Sequence, residues 1–327
     1  MKAIVCRSFG SVDQLDYAEV PLRPLAPHEV RVRVHAAGVN FPDSLKVEGQ
    51  HQIKPELPWV PGSETGGIVV ATGAQIQVLR AGDRVMGVSD SRGGGFAEEI
   101  VLDARRVFAL PQAMSFEEAA ATPVVYGTTM YALKQRGRLA AGEWLLVLGA
   151  AGGVGLATVQ LGKALGARVI AAASTPAKRA LCLQHGAEAA IDYTLPGWRE
   201  QVKALTGGRG ADVVYDPVGG DAFDEAVRCT AFDGRYLVIG FTSGRIPSLK
   251  INYPLVKGFD VLGVRYDVWR DACWGEARAN LQQVLDLYEQ GRVRPLVSGT
   301  YPLARAVDAM RSITARQITG KVVLVNA

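Results

Sequence analysis

A five-residue apolar run, Trp144-Leu145-Leu146-Val147-Leu148, leads straight into Gly149-Ala150-Ala151-Gly152-Gly153-Val154-Gly155. An unbroken apolar run of that length suits a strand buried on both faces. Leu156, Val159 and Leu161 then recur at helical spacing up to Leu165-Gly166, which reads as a helix closed by glycine. Residues 167–173 form a second apolar run. Strand, glycine turn, helix and strand make one βαβ unit of about 30 residues. Glycines without Cβ let the backbone turn tightly and let a pyrophosphate approach its amides. The following helix presents free N–H groups and its positive dipole end to that phosphate. Gly152, Gly153 and Val154 are therefore expected at a dinucleotide, with Gly155 letting the helix pack close to the strand. The strict G-x-G-x-x-G frame would begin at Ala150, and a glycine-rich turn that binds nothing is the alternative.

The second strand indicates which dinucleotide. An NAD site usually carries an acidic residue near its end to hold the ribose 2′-hydroxyl. No Asp or Glu lies between Glu143 and Glu188; the strand ends in Ala173-Ser174-Thr175, followed by Lys178 and Arg179. Hydroxyls and cations suit a 2′-phosphate, which a carboxylate would repel. NADPH is the expected cofactor, against the reading of Lys178 and Arg179 as a solvated helix face.

At 327 residues the chain is long enough for two domains with ample core. Its net charge of +4 is scattered and no dense basic block occurs, which argues against nucleic acid as a partner. It shows no apolar run of membrane length and no signal-peptide pattern. Cys6, Cys182, Cys229 and Cys273 lie far apart without C-x-x-C spacing, so neither structural zinc nor a disulfide framework is expected. A cytoplasmic setting without membrane contact fits these features.

Residues 1 to about 112 read as short strands near 2–6, 30–35, 67–71, 83–88 and 96–101. Turn signals at Pro27-His28-Glu29, Ala81-Gly82-Asp83 and Gly93-Gly94-Gly95 separate them, which predicts a barrel-like domain. Ser115-Phe116-Glu117-Glu118 is a capping box, Pro123 interrupts, and a second helix is expected from about 127 to 135. From Trp144 on, strands at 144–148, 167–173, 189–191, 211–216, 234–240 and 260–264 alternate with helices starting near Gly153, Pro176, Trp198, Asp221 and Trp274. That pattern predicts an α/β fold with a doubly wound, six-stranded parallel sheet. A last helix (303–313) and strand (321–325) are expected to return to the first domain. The expected division is 1–112, completed by 295–327, and 113–294.

Several segments together carry a family resemblance: Ala37-Gly38-Val39-Asn40-Phe41-Pro42-Asp43, Pro61-Gly62-Ser63-Glu64-Thr65-Gly66-Gly67, Ala81-Gly82-Asp83-Arg84-Val85, the glycine turn, Ile191-Asp192-Tyr193, and Asp212-Val213-Val214-Tyr215-Asp216-Pro217-Val218-Gly219-Gly220. Over nearly its whole length the chain resembles the medium-chain dehydrogenase/reductase superfamily, and within it the zinc-free NADPH:quinone oxidoreductases. The resemblance implies a GroES-like β-barrel domain and a Rossmann domain. Zinc-dependent relatives carry a Cys where this chain has Asn40, His-Glu where it has Ser63-Glu64, and a third ligand near Val125. One carboxylate without His or Cys partners does not make a catalytic zinc site, so no metal is expected and Glu64 reads as structural.

Without zinc, alcohol oxidation lacks its Lewis acid. What remains is hydride delivery to an acceptor that needs little activation, a quinone or a related conjugated carbonyl. The resemblance implies an NADPH:quinone oxidoreductase working by direct hydride transfer. An enone or enoyl-thioester (2-enoyl-CoA type) reductase uses the same machinery, and a non-catalytic NADPH-binding or RNA-binding protein is the alternative from another class. By resemblance, Asn40 and Asp43 face the substrate, each with an alternative role in local turn hydrogen bonds. His51 stands where many relatives have a tyrosine and is a candidate proton donor. The cofactor residues implied are Thr129 beside the nicotinamide, Gly152, Gly153 and Val154 at the pyrophosphate, and Ser174, Lys178 and Tyr193 at the 2′-phosphate. Val218, Gly240, Phe241, Ser243, Val264 and Arg265 follow at the ends of the last three strands. Relatives usually pair through the edge of the Rossmann sheet, so a homodimer through 260–264 and 246–257 is expected.

Overall fold

The computed structural model describes residues 1–315 and 318–326. The chain divides into Met1–Val124 with Pro295–Ala327, and Val125–Arg294. The first boundary falls after Val124 instead of 112, because the capping-box helix Phe116–Ala120 packs on strands Glu29–Val39 and Glu64–Thr72 of the first unit. Ser115 Oγ accepts the Glu118 N–H while the Glu118 carboxylate accepts the Ser115 N–H, the reciprocal bonds of that motif.

In the first unit the alternating stretch becomes Glu29–Val39. Alternation holds as far as His35; from Ala36 to Val39 every residue is buried, and Ala36 packs with Ala120, Ala121 and Val323. The seven-stranded sheet runs in the order Val297–Pro302, Lys321–Val325, Glu29–Val39, Glu64–Thr72, Arg84–Val88 and Val107–Ala109, with Glu99–Asp103 pairing residues 29–33. Lys321–Val325 lies antiparallel to residues 36–39, so the tail of the chain completes this sheet. Val30, Val32, Val34, Val69, Val85, Phe96, Ile100 and Leu102 fill its interior.

In the second unit six parallel strands stand in the order Ala189–Ile191, Arg168–Ala172, Trp144–Leu148, Ala211–Asp216, Thr230–Val238 and Asp260–Gly263. Trp144–Leu148 is buried at every position, as its apolar run requires. Chain order reverses between this strand and Ala211–Asp216. The turns that leave them touch: a Cβ on Gly149 would stand 3.0 Å from Val218 Cγ2. A doubly wound sheet binds its ligand at that reversal.

Three local features depart from expectation. The helix expected at 127–135 is Pro123–Met130, continued by a π-helical segment Tyr131–Arg136. Proline occupies the first helical position, where no N–H is needed, so Pro123 starts the helix instead of breaking it. The fifth strand is Thr230–Val238 instead of 234–240. Short helices Asn252–Lys257 and Tyr266–Ala272 lie where the sequence shows no apolar period; the first buries no residue.

Candidate active site

In the first unit the chemistry gathers where Glu29–Val39 ends. Asn40 precedes helix Phe41–Val47, and its backbone N–H donates to Asp43 Oδ2 at 2.9 Å. Its side chain is engaged at both ends: Nδ2 donates to Glu64 Oε1 (2.8 Å), and Oδ1 accepts from Lys321 Nζ (2.7 Å). Lys321 Nζ also donates to Glu64 Oε1 (2.8 Å) and Val39 O (2.9 Å), which uses all three of its protons. Glu64 Oε2 accepts the Val124 N–H at 2.7 Å. Glu64 is completely buried and Lys321 nearly so. Gly38 makes room for the carboxylate, since a Cβ there would lie 2.3 Å from Glu64 Oε1.

The set Asn40, Ser63 and Glu64 does not fit zinc. An ammonium already sits in hydrogen-bond contact with two of the three, and a dication beside it would be repelled. Among the described residues no three His, Cys, Asp or Glu converge on one point. Lys321 escaped the sequence reading because it opens an apolar strand, where a lysine reads as a solvated strand end. Its partners lie hundreds of residues earlier in the chain.

Asp43 is buried, and burial pushes its carboxyl up to about 6; Lys46, the Asn40 N–H and Lys321 act against that rise. His51 is half-buried, and its Nδ1 lies 3.0 Å from Ile53 N and 3.3 Å from Ile53 O, so it accepts the Ile53 N–H in one tautomer and donates to Ile53 O in the other.

The other candidate residues lie in the second unit. Helix Gly153–Ala164 begins at Gly152 with no side chain capping it, and the atom nearest to a Cβ on Gly152 would be Gly149 O at 3.5 Å. Gly155 is required, because a Cβ there would fall 2.3 Å from Gly149 O. Beyond the fourth strand, Asp216 Oδ1 accepts the N–H groups of Val218 and Gly219, both at 2.8 Å, and Tyr236 Oη donates to Oδ2 at 2.7 Å. Burial raises the Asp216 carboxyl above its ordinary value, and these donors act against it. Ser243 N–H donates to Val218 O and Gly240 N–H to Asp216 O, which joins the turns after the fourth and fifth strands. Phe241 closes over Gly219, whose Cβ would meet its ring at 2.9 Å. Val218, Gly240, Phe241 and Ser243 are thus brought together at one end of the sheet.

The remaining expected cofactor residues have the following surroundings. Thr129 is completely buried, its hydroxyl within 3.1 Å of Thr158 Oγ1 and 3.3 Å of Tyr215 Oη. Burial pushes the Tyr215 phenol up to about 12, so this is a neutral internal hydroxyl cluster. Arg265 pairs locally with Asp267 at 3.1 Å. Val264 continues the edge strand, its N–H donating to Val238 O. Ser174 and Lys178 flank Thr175, whose hydroxyl caps helix Pro176–Gln184 by accepting the Lys178 N–H. Tyr193, after the third strand, packs half-buried against the sheet core.

Two outcomes are expected from the first-unit cluster. Because folding raises the Asp43 carboxyl from 3.8 to about 6, the stability it contributes is complete below pH ~4 and lost as pH rises through about 6. Asp43→Asn removes this dependence. Relative to the parent, the variant gains up to about 3 kcal/mol between pH ~4 and ~7, measured by denaturant unfolding across that range. Lys321→Met leaves Glu64 buried without its cation and destabilises the protein by about 3–5 kcal/mol; Glu64→Gln in the same chain recovers much of that loss.

Comparison with known proteins agrees with this arrangement. Residues 26–112 match the alcohol dehydrogenase GroES-like domain and residues 153–289 the zinc-binding dehydrogenase family. Quinone oxidoreductase-like protein 2 of Bos taurus is 39% identical, the alignment covering 94% of this chain and 87% of that protein. Quinone oxidoreductase of Pseudomonas aeruginosa is 34% identical over 99% of both. The crystal structure of Escherichia coli quinone oxidoreductase complexed with NADPH superposes with a TM-score of 0.89 at 29% identity over the full length of both chains. With the parallel sheet, the glycine turn and the barrel strands in place, the chain belongs to the quinone oxidoreductase family of the medium-chain dehydrogenase/reductase superfamily.

Proposed function

We propose that this protein is an NADPH-dependent reductase that passes hydride to quinones or related conjugated carbonyls. The observation that carries the proposal is the uncapped, glycine-lined start of helix Gly153–Ala164 at the strand-order reversal. It fits a pyrophosphate: the first-turn N–H groups have no side-chain cap and no Cβ blocks the approach. Ser174, Lys178 and Tyr193 are the residues proposed for the 2′-phosphate, and Val218, Gly240 and Phe241 for the nicotinamide end. Bound NADPH supplies the hydride from nicotinamide C4.

The chain's own residues orient and donate. The Asp216 carboxylate fixes the Val218–Gly219 backbone. On the first unit, Asn40 keeps one Nδ2 hydrogen beyond its bond to Glu64, and His51 carries Nε2–H in the tautomer whose Nδ1 accepts the Ile53 N–H. These are the groups proposed to stabilise negative charge developing on the acceptor oxygen. A quinone or enone spreads that charge by conjugation and so needs no Lewis acid.

Loss of NADPH absorbance against a benzoquinone, a naphthoquinone, a simple enone, an enoyl-CoA and a saturated aldehyde tests the reading. Turnover is expected with the quinones at the highest kcat/KM, and faster with NADPH than with NADH. Turnover of the saturated aldehyde alone would overturn it, and a preference for the enoyl-CoA would make the protein an enoyl-thioester reductase.

The four cysteines are free, and no helix among the described residues is long and apolar enough to cross a membrane, which supports the proposed cytoplasmic setting. A homodimer is proposed through the outer strand Asp260–Gly263. That strand pairs on one side only, and Ile246, Ile251, Leu255 and Val256 are each more than 70% exposed close to it in sequence. A half-paired strand and an apolar surface are what a second copy would cover. The protein is expected to run at about twice its 34.9 kDa chain mass. Leu255→Asp with Val256→Asp should shift it to the single-chain mass in light scattering.

A further inference from the structure

The second strand ends without a carboxylate of its own, yet one stands beside it. Ala189–Ile191 runs parallel to Arg168–Ala172 with Ile191 opposite Ala172, and the Ala173 N–H donates to Ile191 O at 3.1 Å. Asp192 therefore follows the third strand next to Ala173 and Ser174, where the second strand gives way to helix Pro176–Gln184. A lone carboxylate at this place is the group that would accept a ribose 2′-hydroxyl and repel a 2′-phosphate.

Here the carboxylate is not alone. Arg179, one turn into the helix, donates from Nη1 to Asp192 Oδ2 at 2.6 Å and to Ala173 O at 3.2 Å. The other oxygen, Oδ1, accepts the N–H and the hydroxyl of Thr194 at 3.0 and 2.6 Å. Both members of the ion pair are more than three-quarters shielded from solvent. The Thr194 hydroxyl and N–H, with Arg179 behind them, hold the Asp192 carboxyl below its usual range, so its charge is present at neutral pH.

We propose that the Arg179–Asp192 pair sets the choice between NADPH and NADH by masking this carboxylate. The proposal rests on the NADPH reading above. Arg179 acts as a positioning residue: it cancels the Asp192 charge and ties helix Pro176–Gln184 to the tip of the second strand through Ala173 O. The 2′-phosphate then meets Ser174 and Lys178 without a competing anion. The neighbouring strand carries an acid suited to the opposite cofactor, so the preference depends on the Arg179 guanidinium as well as on Lys178.

Removing either charge must move the preference in opposite directions, which a merely structural pair would not do. Dissociation constants for NADPH and NADH, and for adenosine 2′,5′-bisphosphate and AMP, are measured by calorimetry on the full chain at low salt. Arg179→Gln uncovers Asp192 and is expected to lower the NADPH-over-NADH affinity ratio about tenfold. Asp192→Asn leaves Arg179 unmasked and is expected to raise that ratio by a similar factor. The double variant returns close to the parent. The two adenosine fragments should follow the same pattern, and the differences should shrink with added salt.

Equal weakening of both cofactors by Arg179→Gln, or an Asp192→Asn ratio unchanged from the parent, would overturn the proposal and leave the pair as a helix tether. Lys178→Ala tests the underlying reading separately, since it should weaken NADPH far more than NADH. A parent protein with no preference for the 2′-phosphate would sink the reading and the proposal together.

Discussion

The first unit depends on a buried ammonium. Lys321 joins the end of strand Glu29–Val39, through Val39 O and Asn40, to the start of Glu64–Thr72, through Glu64, and does so from the first residue of Lys321–Val325. Glu64 then reaches one step further, accepting the N–H of Val124, where the chain leaves this unit. Taking both charges out of water costs several kcal/mol per ion, and the cost is offset only when their remaining bonding capacity is filled. Here it is filled: three acceptors for the ammonium, and donors on both carboxylate oxygens. This geometry requires the tail of the chain to return to the first unit, and it requires glycine at position 38.

The same pair decides what chemistry the site can host. A zinc centre would put a dication among anionic or neutral donors, whereas this cluster already carries a monocation that is consumed by internal bonds. The ammonium is held too tightly to polarise a substrate carbonyl. Under the proposed function, an acceptor beside Asn40 takes hydride without strong electrophilic help, which suits substrates whose own conjugation spreads the charge. The amide of Asn40 is fixed in orientation by Lys321 on its oxygen and Glu64 on its nitrogen. A donor so fixed costs little reorganisation when negative charge develops nearby.

Much of the second unit was legible in the sequence because burial on both faces removes alternation and leaves plain apolar runs, as at Trp144–Leu148. The glycine turn was legible because close approach there admits nothing larger at position 155. The helices Asn252–Lys257 and Tyr266–Ala272 were not, because a short helix on an exposed edge has no core face to impose a period. Pro123 is ambiguous in the sequence because proline is compatible with a helix start, its place here, as well as with a break. The Lys321–Glu64 contact was hidden for another reason: pairing across 257 residues leaves no local trace in either segment. The contacts of the Thr129 hydroxyl with Thr158 and Tyr215 were likewise hidden, since they join residues 29 and 86 positions apart.

Four carboxylates near the two candidate regions show how one functional group is put to different uses. Glu64 is matched by an ammonium and serves as a structural node. Asp216 is matched by two backbone N–H groups and a phenol, which makes it a template for the turn after the fourth strand. Asp192 is matched by a guanidinium and a threonine, which hides its charge beside the second strand. Asp43 lies deep in the first unit, with the Asn40 N–H on one oxygen. Burial raises the carboxyls of Asp216 and Asp43, that of Asp43 to about 6, whereas the Thr194 donors and Arg179 hold that of Asp192 below its usual range. Its ionisation therefore reports the surroundings of Asn40 directly: anything that brings negative charge close to that amide favours the protonated carboxyl, and anything that brings positive charge close favours the carboxylate.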